Sequence, residues 1–157
     1  TLSPSSAASD VYKRQTLNVM RYTSEMSVLE RLEFLTMKAE QAVERTSGIT
    51  EYRQFLTSPD AMDVFDATVL RVQVVGEMLK QVDDKTERKL LRPNYPEIPW
   101  KSVFGLRNFI SHEYALVDPQ EIFAVVKQDL PQLILVLHRI IDDLRSGRYN
   151  AVFTVAP

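Results

Sequence analysis

Arg107, Asn108, His112 and Tyr114 place chemically competent side chains within one short stretch of this sequence. The imidazole of a His can accept or donate a proton near neutral pH, and an Arg can hold a phosphate through two parallel hydrogen bonds. RNA carries its own nucleophile, the 2′-hydroxyl, so His112 and Arg107 are candidates for metal-free cleavage of an RNA backbone to a 2′,3′-cyclic phosphate. Asn108 can orient His112 or the phosphate from one helical turn away.

The same residues also have simpler interpretations. A His in the last turn of a helix is favoured by the helix dipole, and Arg107 can pair with an acid such as Glu113 or Asp118. Ser111 raises the question of a serine nucleophile, but no nucleophile elbow and no acidic third member accompany it. Arg107 and His112 alone therefore favour a structural role, and only the surrounding sequence reverses that preference.

The angular positions of these residues on a helix indicate how they can meet. At about 100° per residue, Asn108 and His112 share one face, whereas Arg107 and His112 lie about 140° apart. One helix therefore does not bring the Arg and the His together well, but two copies packed about a two-fold axis can. The spacing predicts a homodimer with a composite site at its interface.

The sequence before the motif strengthens the functional interpretation. Residues 95–100 read Tyr-Pro-Glu-Ile-Pro-Trp, and Gly105 and Leu106 lead directly into Arg107. The motif itself is an Arg, a polar residue, three further residues, a His, one residue and a Tyr. Together these features resemble the HEPN superfamily, and most closely its HepT-type toxins. The resemblance extends over about residues 27–145, and every fixed position of the motif matches.

The resemblance implies a metal-independent ribonuclease toxin of a type VII-like toxin–antitoxin pair, with Arg107 and His112 catalytic and Asn108 supporting them. It implies a homodimer, tRNA or mRNA as the substrate, and an MntA-like minimal nucleotidyltransferase antitoxin that attaches AMP to Tyr114. The alternative is a non-catalytic helical module that serves as the binding subunit of a nucleotidyltransferase complex. The intact Arg107 and His112 favour the ribonuclease.

The composition limits the cofactors, the compartment and the binding surface. The 157 residues include no Cys and only two His, so neither a metal nor another cofactor is expected. No run of roughly 18 apolar residues is present, so no membrane span is expected and we predict a cytoplasmic protein. The net charge of −2 excludes a broadly basic surface, so any RNA binding must be local.

A local basic cluster precedes the motif, at Lys85, Arg88, Lys89 and Arg92. The favoured interpretation is that these side chains form an ordinary charged surface in contact with solvent. The functional interpretation is that they form a basic edge beside the motif that binds RNA phosphates. Two other residues are assigned to structural roles. Trp100 is expected in the core and not as a stacking platform for bases, and the second His of the chain, at position 138, is expected on the surface or in packing.

Four helical patterns must position these residues, and no strand pattern competes with them. Residues 84–94 form a charged connector in which a short helix is expected at residues 86–91, and Pro93 and Pro96 exclude helix through Tyr95. Gly48 is expected to end the first helix in the left-handed conformation, and Gly76 to permit the close approach of another helix. The first predicted helix covers about residues 27–45, and the second runs from Ser58-Pro59 to about Val82. The third runs from Pro99 through the motif. The fourth runs from Asp118-Pro119 to Leu144 and is expected to kink at Pro131.

These patterns predict an all-α, up-and-down four-helix bundle with one extra short helix, formed by a single domain over residues 20–146. Residues 1–19 are expected to be a non-native or disordered leader, because residues 10–15 resemble the translation of a transposase adapter used in library preparation. Residues 147–157 are expected to form a loose C-terminal tail.

Overall fold

The architecture is helical. The computed structural model describes residues 25–109 and 117–151, and within these ranges the chain forms helices joined by turns, with no strand. The α-helices are α1 Val28–Arg45, α2 Pro59–Lys85, α3 Leu91–Asn94, α4 Trp100–Gly105, α5 Pro119–Ala124 and α6 Leu130–Arg145. Two 3₁₀ turns, Tyr52–Leu56 and Leu106–Phe109, and one π-helical turn, Val125–Asp129, connect or extend them. The predicted all-α bundle is confirmed.

The helix starts predicted at Ser58 and Asp118 are confirmed. The Ser58 hydroxyl accepts a hydrogen bond from the Ala61 N–H at 3.1 Å, and the Asp118 carboxylate accepts one from the Gln120 N–H at 2.8 Å. Ser27 caps α1 in a similar way. Each such cap stabilises a helix by about 1 kcal/mol and depends only on neighbouring residues. That locality explains why the sequence alone identifies these starts.

The ends of α1 and α2 differ from the predictions, because threonine side chains close them. Gly48 does not adopt the left-handed conformation. Instead the Thr46 hydroxyl donates to the Ala42 carbonyl at 2.7 Å. The Thr86 hydroxyl donates to the Val82 carbonyl at 2.8 Å, and α2 continues about one turn past the residue where the prediction ends it.

The extra short helix lies later in the chain than predicted. It spans Leu91–Asn94, whereas the prediction places it at residues 86–91. It contains Pro93 but ends before Tyr95, so no helix runs through Tyr95. Pro93 is tolerated because the first residues of a helix have no intrahelical acceptor for their N–H groups. Glu87 and Arg88 are left-handed instead, with φ of 52° and 62°, and they turn the chain between α2 and α3.

A π-helical turn accommodates Pro131, where a kink is predicted. The Leu130 N–H bonds to the Val125 carbonyl, five residues earlier, which widens the last turn before α6. A proline has no N–H to donate to the carbonyl four residues before it. The irregularity therefore occupies the turn that precedes the proline, and α6 continues regularly to Arg145.

The main core lies between α1, α2 and α6. α1 packs against both of the other two helices, and α4 packs against α2 but makes few contacts with α6. The seam between α4 and α6 therefore stays open. Among the described helices, none combines the length and the apolar character that crossing a membrane requires. The core includes fully buried side chains from all three main helices: Leu32, Leu35, Val72, Leu79, Leu137 and Ile140.

Trp100 and His138 have the structural roles predicted for them. Trp100 is 4% exposed, and its indole N–H donates to the Tyr95 carbonyl at 2.7 Å. The His138 side chain lies on the surface, with Nε2 2.6 Å from Oε1 of Glu40. This contact links α6 to α1, which is a structural role for His138.

A buried tyrosine network anchors the segment before α4. The Tyr95 hydroxyl donates to Oδ2 of Asp143 at 2.6 Å and accepts from the Tyr149 hydroxyl at 2.9 Å. Burial, and then the hydrogen bond to the Asp143 carboxylate, raises the pKa of Tyr95 well above its ordinary value. Tyr149 lies in the segment predicted as a loose tail, yet it is buried. The chain is therefore still packed on the bundle at this residue.

Replacing Tyr95 by Phe should lower the free energy of unfolding by about 1–2 kcal/mol, because Asp143 and Tyr149 each lose a hydrogen-bond partner. The raised pKa keeps Tyr95 neutral in the folded chain, whereas a Tyr in the unfolded chain ionises near pH 10.0. The wild type should therefore lose stability as the pH rises above that value. Urea denaturation at a series of alkaline pH values should show a smaller loss in Tyr95→Phe, and equal losses would contradict the network.

Candidate active site

The first half of the motif is held against α2 at Gly76. Leu106–Phe109 extend α4 as a 3₁₀ turn, and this turn packs on α2. A Cβ atom on residue 76 would lie 2.8 Å from the backbone nitrogen of Arg107, closer than real Cβ contacts, and 3.1 Å from the Val103 carbonyl oxygen. The close approach predicted at Gly76 is therefore confirmed, and the backbone that approaches belongs to the motif itself.

The backbone of Arg107 is fixed by this contact, but its side chain is exposed. Asn108 is exposed as well, so a guanidinium and an amide face the solvent from one turn. The structure places both residues in a 3₁₀ turn, whereas the prediction places them in the last turns of an α-helix. A 3₁₀ turn advances by about 120° per residue, so the angular separation calculated for an α-helix does not apply to this part of the motif.

His112 and Tyr114 lie outside the described residues, as do Ser111 and Glu113. The roles of His112 as the catalytic base and Tyr114 as the modification site therefore remain predictions from the sequence. The structure thus fixes the backbone position of the phosphate-binding candidate, Arg107.

Three of the four predicted RNA contacts lie on the surface at the end of α2. Lys85, Arg88 and Lys89 are exposed, and Lys89 forms an ion pair with Glu87 at 2.9 Å. Lys85 comes nine residues after Gly76, which corresponds to about 13 Å along the helix. RNA contact at these residues remains a prediction, and it requires a substrate that extends at least this far from the motif.

Arg92, the fourth of these residues, has a structural contact on each side. Its Nη2 lies 3.3 Å from Oδ2 of Asp83, and its guanidinium carbon lies 5.1 Å from the centre of the Phe104 ring. Asp83 is completely buried, and within the described ranges its other oxygen, Oδ1, has no hydrogen-bond partner. Arg92 therefore ties the end of α2 to α4, the helix that leads into the motif.

The buried position of Asp83 is a feature that the sequence prediction missed, because the prediction places this residue where α2 gives way to a charged connector. A signal for it exists in the spacing. Val72, Gly76 and Leu79 are buried, and Asp83 follows them at alternating steps of four, three and four residues. A carboxylate on the apolar stripe of a helix is costly to bury without a cation, and Arg92 supplies that cation.

Comparison with known proteins gives consistent matches. The family model described as "Ribonuclease HepT-like" matches residues 35–140. A relative from Methanocaldococcus jannaschii, provisionally named an RNase, is 28% identical over 102 residues, covering 65% of this chain and 78% of the relative. A relative from Caldanaerobacter subterraneus, also provisionally named an RNase, is 28% identical over 102 residues, covering 65% of this chain and 83% of the relative.

A third relative, from Thermococcus cleftensis, is provisionally named a ribonuclease HepT. It is 30% identical over 67 residues, which cover 43% of this chain and 56% of the relative. No solved structure gives a significant match to this chain. The similarity therefore rests on sequence, and it extends from α1 to α6.

Proposed function

Because this chain belongs to the HepT-like ribonuclease family, we propose that it is a metal-independent endoribonuclease that cleaves RNA through Arg107 and His112. The observation that carries the proposal is the combination found at Arg107. Its backbone is fixed against Gly76, and its side chain is open to solvent. A cation held in this way can bind a phosphate from solution and keep it in one place, which is what phosphoryl transfer without a metal requires.

The proposed reaction is an internal transfer to the ribose. His112 accepts the proton of the 2′-hydroxyl as the 2′-oxygen forms a bond to the adjacent phosphorus. The bond from phosphorus to the 5′-oxygen breaks, and the departing oxygen takes up a proton from water or the one that His112 received. The products are a 2′,3′-cyclic phosphate and a free 5′-hydroxyl. Arg107 balances the charge that develops on the phosphate, and Asn108 orients the phosphate or His112.

We propose that the working form is a homodimer in which Arg107 of one protomer serves the same site as His112 of its partner. The support is the spacing in the sequence, because an Arg and a His five residues apart would point away from each other on an α-helix and on a 3₁₀ helix alike. Two large apolar side chains are also exposed on α2, the helix that seats Arg107: Met62 at 49% and Leu70 at 57%. A second protomer could cover them.

The proposed partner is an MntA-like minimal nucleotidyltransferase, which would act as the antitoxin of a type VII-like pair. It would transfer AMP to the hydroxyl of Tyr114. The added phosphate can occupy Arg107, and its charge repels an incoming RNA backbone. The proposed substrate is tRNA or mRNA, bound locally because the chain as a whole is not basic.

The direct test of the proposal is to incubate the purified protein with total RNA in an excess of chelator. We expect cleavage that persists without divalent ions and leaves 2′,3′-cyclic phosphate ends. Intact RNA in the presence of a folded protein would argue against the ribonuclease. It would favour the alternative, a non-catalytic binding subunit of a nucleotidyltransferase complex.

Replacing Tyr114 by Phe should leave RNA cleavage intact but abolish neutralisation by a co-expressed nucleotidyltransferase, because the acceptor hydroxyl is absent. Intact mass after co-expression should show AMP-sized increments on the wild type and none on Tyr114→Phe. Tyr52→Phe is the matched control, since Tyr52 is a partly exposed tyrosine in a 3₁₀ turn, and it should keep the increments. Increments that persist on Tyr114→Phe would place the modification at another residue.

A further inference from the structure

The open seam between α4 and α6 contains a cavity of about 320 Å³. One wall comes from α4 and the residues on either side of it, and the other comes from the start of α6. The floor is apolar and belongs to the core, whereas the mouth opens to solvent. The apolar lining consists of Ile98, Pro99, Val103, Leu106, Leu130 and Leu133.

Three polar side chains stand at the mouth of this cavity: Ser102, Asp129 and Gln132. All three are exposed, and no hydrogen bond of these side chains to another side chain is found in the part of the chain that the structure describes. Asp129 and Gln132 are three residues apart on continuous helical backbone, so they project from the same side of it. Ser102 faces them from α4. The mouth therefore presents a carboxylate, an amide and a hydroxyl above an apolar floor.

We propose that this cavity is a guanine-binding subsite that selects the nucleotide beside the scissile phosphate, an inference that rests on the proposed ribonuclease function. The volume lies at the lower end of the range of ligand pockets, which suits a single base. The apolar walls can hold a flat ring on both faces. Guanine presents two adjacent donors, N1–H and N2–H, to the two oxygens of Asp129, and its O6 can accept from the Gln132 amide.

The charge of Asp129 makes the site selective. A carboxylate only accepts hydrogen bonds, and the Watson–Crick edge of uracil presents two carbonyl oxygens and one N–H. Uracil would therefore place a carbonyl against a negative charge. Cytosine and adenine each offer an amino group but also an unprotonated ring nitrogen in the place of N1–H of guanine. Guanine is the base whose edge matches this carboxylate best.

The position of the cavity connects it to the proposed active site. Leu106 lines the cavity, and Arg107 is the next residue. Both belong to the 3₁₀ turn that packs on Gly76. A base held in the cavity and a phosphate held by Arg107 would thus be fixed by adjacent residues of one turn, which is the arrangement that a single nucleotide requires.

The binding test uses GMP, AMP, CMP and UMP, which lack a phosphodiester and cannot be cleaved. Titration of the full chain, followed by NMR chemical shifts, should show GMP binding about tenfold more tightly than UMP. Asp129→Asn should raise the dissociation constant for GMP about tenfold, and it should lower that for UMP because the charge that repels a uracil carbonyl is removed. Asp142→Asn is the matched control, an exposed acid on α6 about 20 Å from Asp129, and it should bind as the wild type does. Equal affinity for the four nucleotides, or no effect of Asp129→Asn, would overturn the proposal.

A cleavage test separates this proposal from the ribonuclease function on which it rests. Mapped cuts in total RNA should lie beside guanines, and Ser102→Trp, which fills the mouth of the cavity, should weaken GMP binding and remove that preference. Cleavage without a preference for guanine would overturn the subsite alone. Specific GMP binding by a protein that cuts no RNA would support the subsite and count against the ribonuclease. A change of oligomeric state in Ser102→Trp, with GMP binding unaltered, would assign the cavity to a protein partner and overturn the proposal.

Discussion

Arg107→Ala and His112→Ala should each reduce RNA cleavage by about 10³-fold, because the first removes the charge that balances the phosphate and the second removes the base. Neither change should unfold the chain. The Arg107 side chain is exposed, and the contact with Gly76 uses only its backbone. Far-ultraviolet circular dichroism should therefore match the wild type while product formation on total RNA is lost. A folded His112→Ala chain that cuts at the normal rate would remove His112 from the mechanism.

Mixing the two inactive variants tests the composite site. If each site takes its Arg from one protomer and its His from the partner, a mixed dimer contains one intact site. Random exchange of protomers should then restore about a quarter of the wild-type activity, since half of the dimers are mixed and each has one working site of two. If the Arg and the His of a site belong to the same chain, no activity should return. Sedimentation of the wild type at the assay concentration must also show a dimer.

Gly76→Ala should reduce cleavage by about 10- to 100-fold, because a methyl group there displaces the backbone that carries Arg107. The added Cβ would lie 2.8 Å from the Arg107 nitrogen, and a backbone atom cannot move aside as a flexible side chain can. Stability should change less than activity. Alanine gains about 1 kcal/mol of helix propensity over glycine, and this gain offsets part of an overpacking cost of about 1–3 kcal/mol.

Gly105→Ala is the matched control for this substitution. Gly105 ends α4, directly before the 3₁₀ turn, and a Cβ atom added there meets nothing within 4 Å. Its cleavage rate should equal that of the wild type. Single-turnover rates on one defined RNA, together with denaturation curves for both variants, would compare the two effects. A Gly76→Ala chain that is as active as Gly105→Ala would show that the contact with α2 does not position the site.

The sequence predicted the features that depend on neighbouring residues. The cap at Ser58 is formed with the third residue after it, and the cap at Asp118 with the second. The buried apolar residues of α2 likewise recur every three or four positions. The close approach at Gly76 was predictable for a similar reason, since a glycine in mid-helix costs stability unless another element needs the space. The Arg, Asn, His and Tyr of the motif are also a local pattern, and the roles assigned to them stay predictions.

The features that the sequence prediction missed depend on partners far along the chain. The hydrogen bond between Tyr95 and Tyr149 joins residues 54 positions apart. Asp83 is buried because Arg92 comes back across the turn to meet it, at 3.3 Å. The 3₁₀ turn at Arg107 forms where the chain packs on α2. The pairings of Tyr95 with Tyr149 and of Asp83 with Arg92 follow no periodicity within one segment, so a single sequence does not reveal them, although the spacing in α2 does indicate that Asp83 is buried.

Because the chain is synthesised from its N-terminus, the tyrosine network can form only late in synthesis of the described residues. Tyr95 and Trp100 leave the ribosome before Asp143 and Tyr149, the residues that receive and donate the hydrogen bonds of Tyr95. Until Tyr149, which follows the end of α6, has emerged, the segment that leads into Arg107 lacks part of this network. A nascent chain therefore reaches its fully anchored form only after residue 149. Up to that point in synthesis, the turn that carries Arg107 lacks its full support while the chain is still attached to the ribosome.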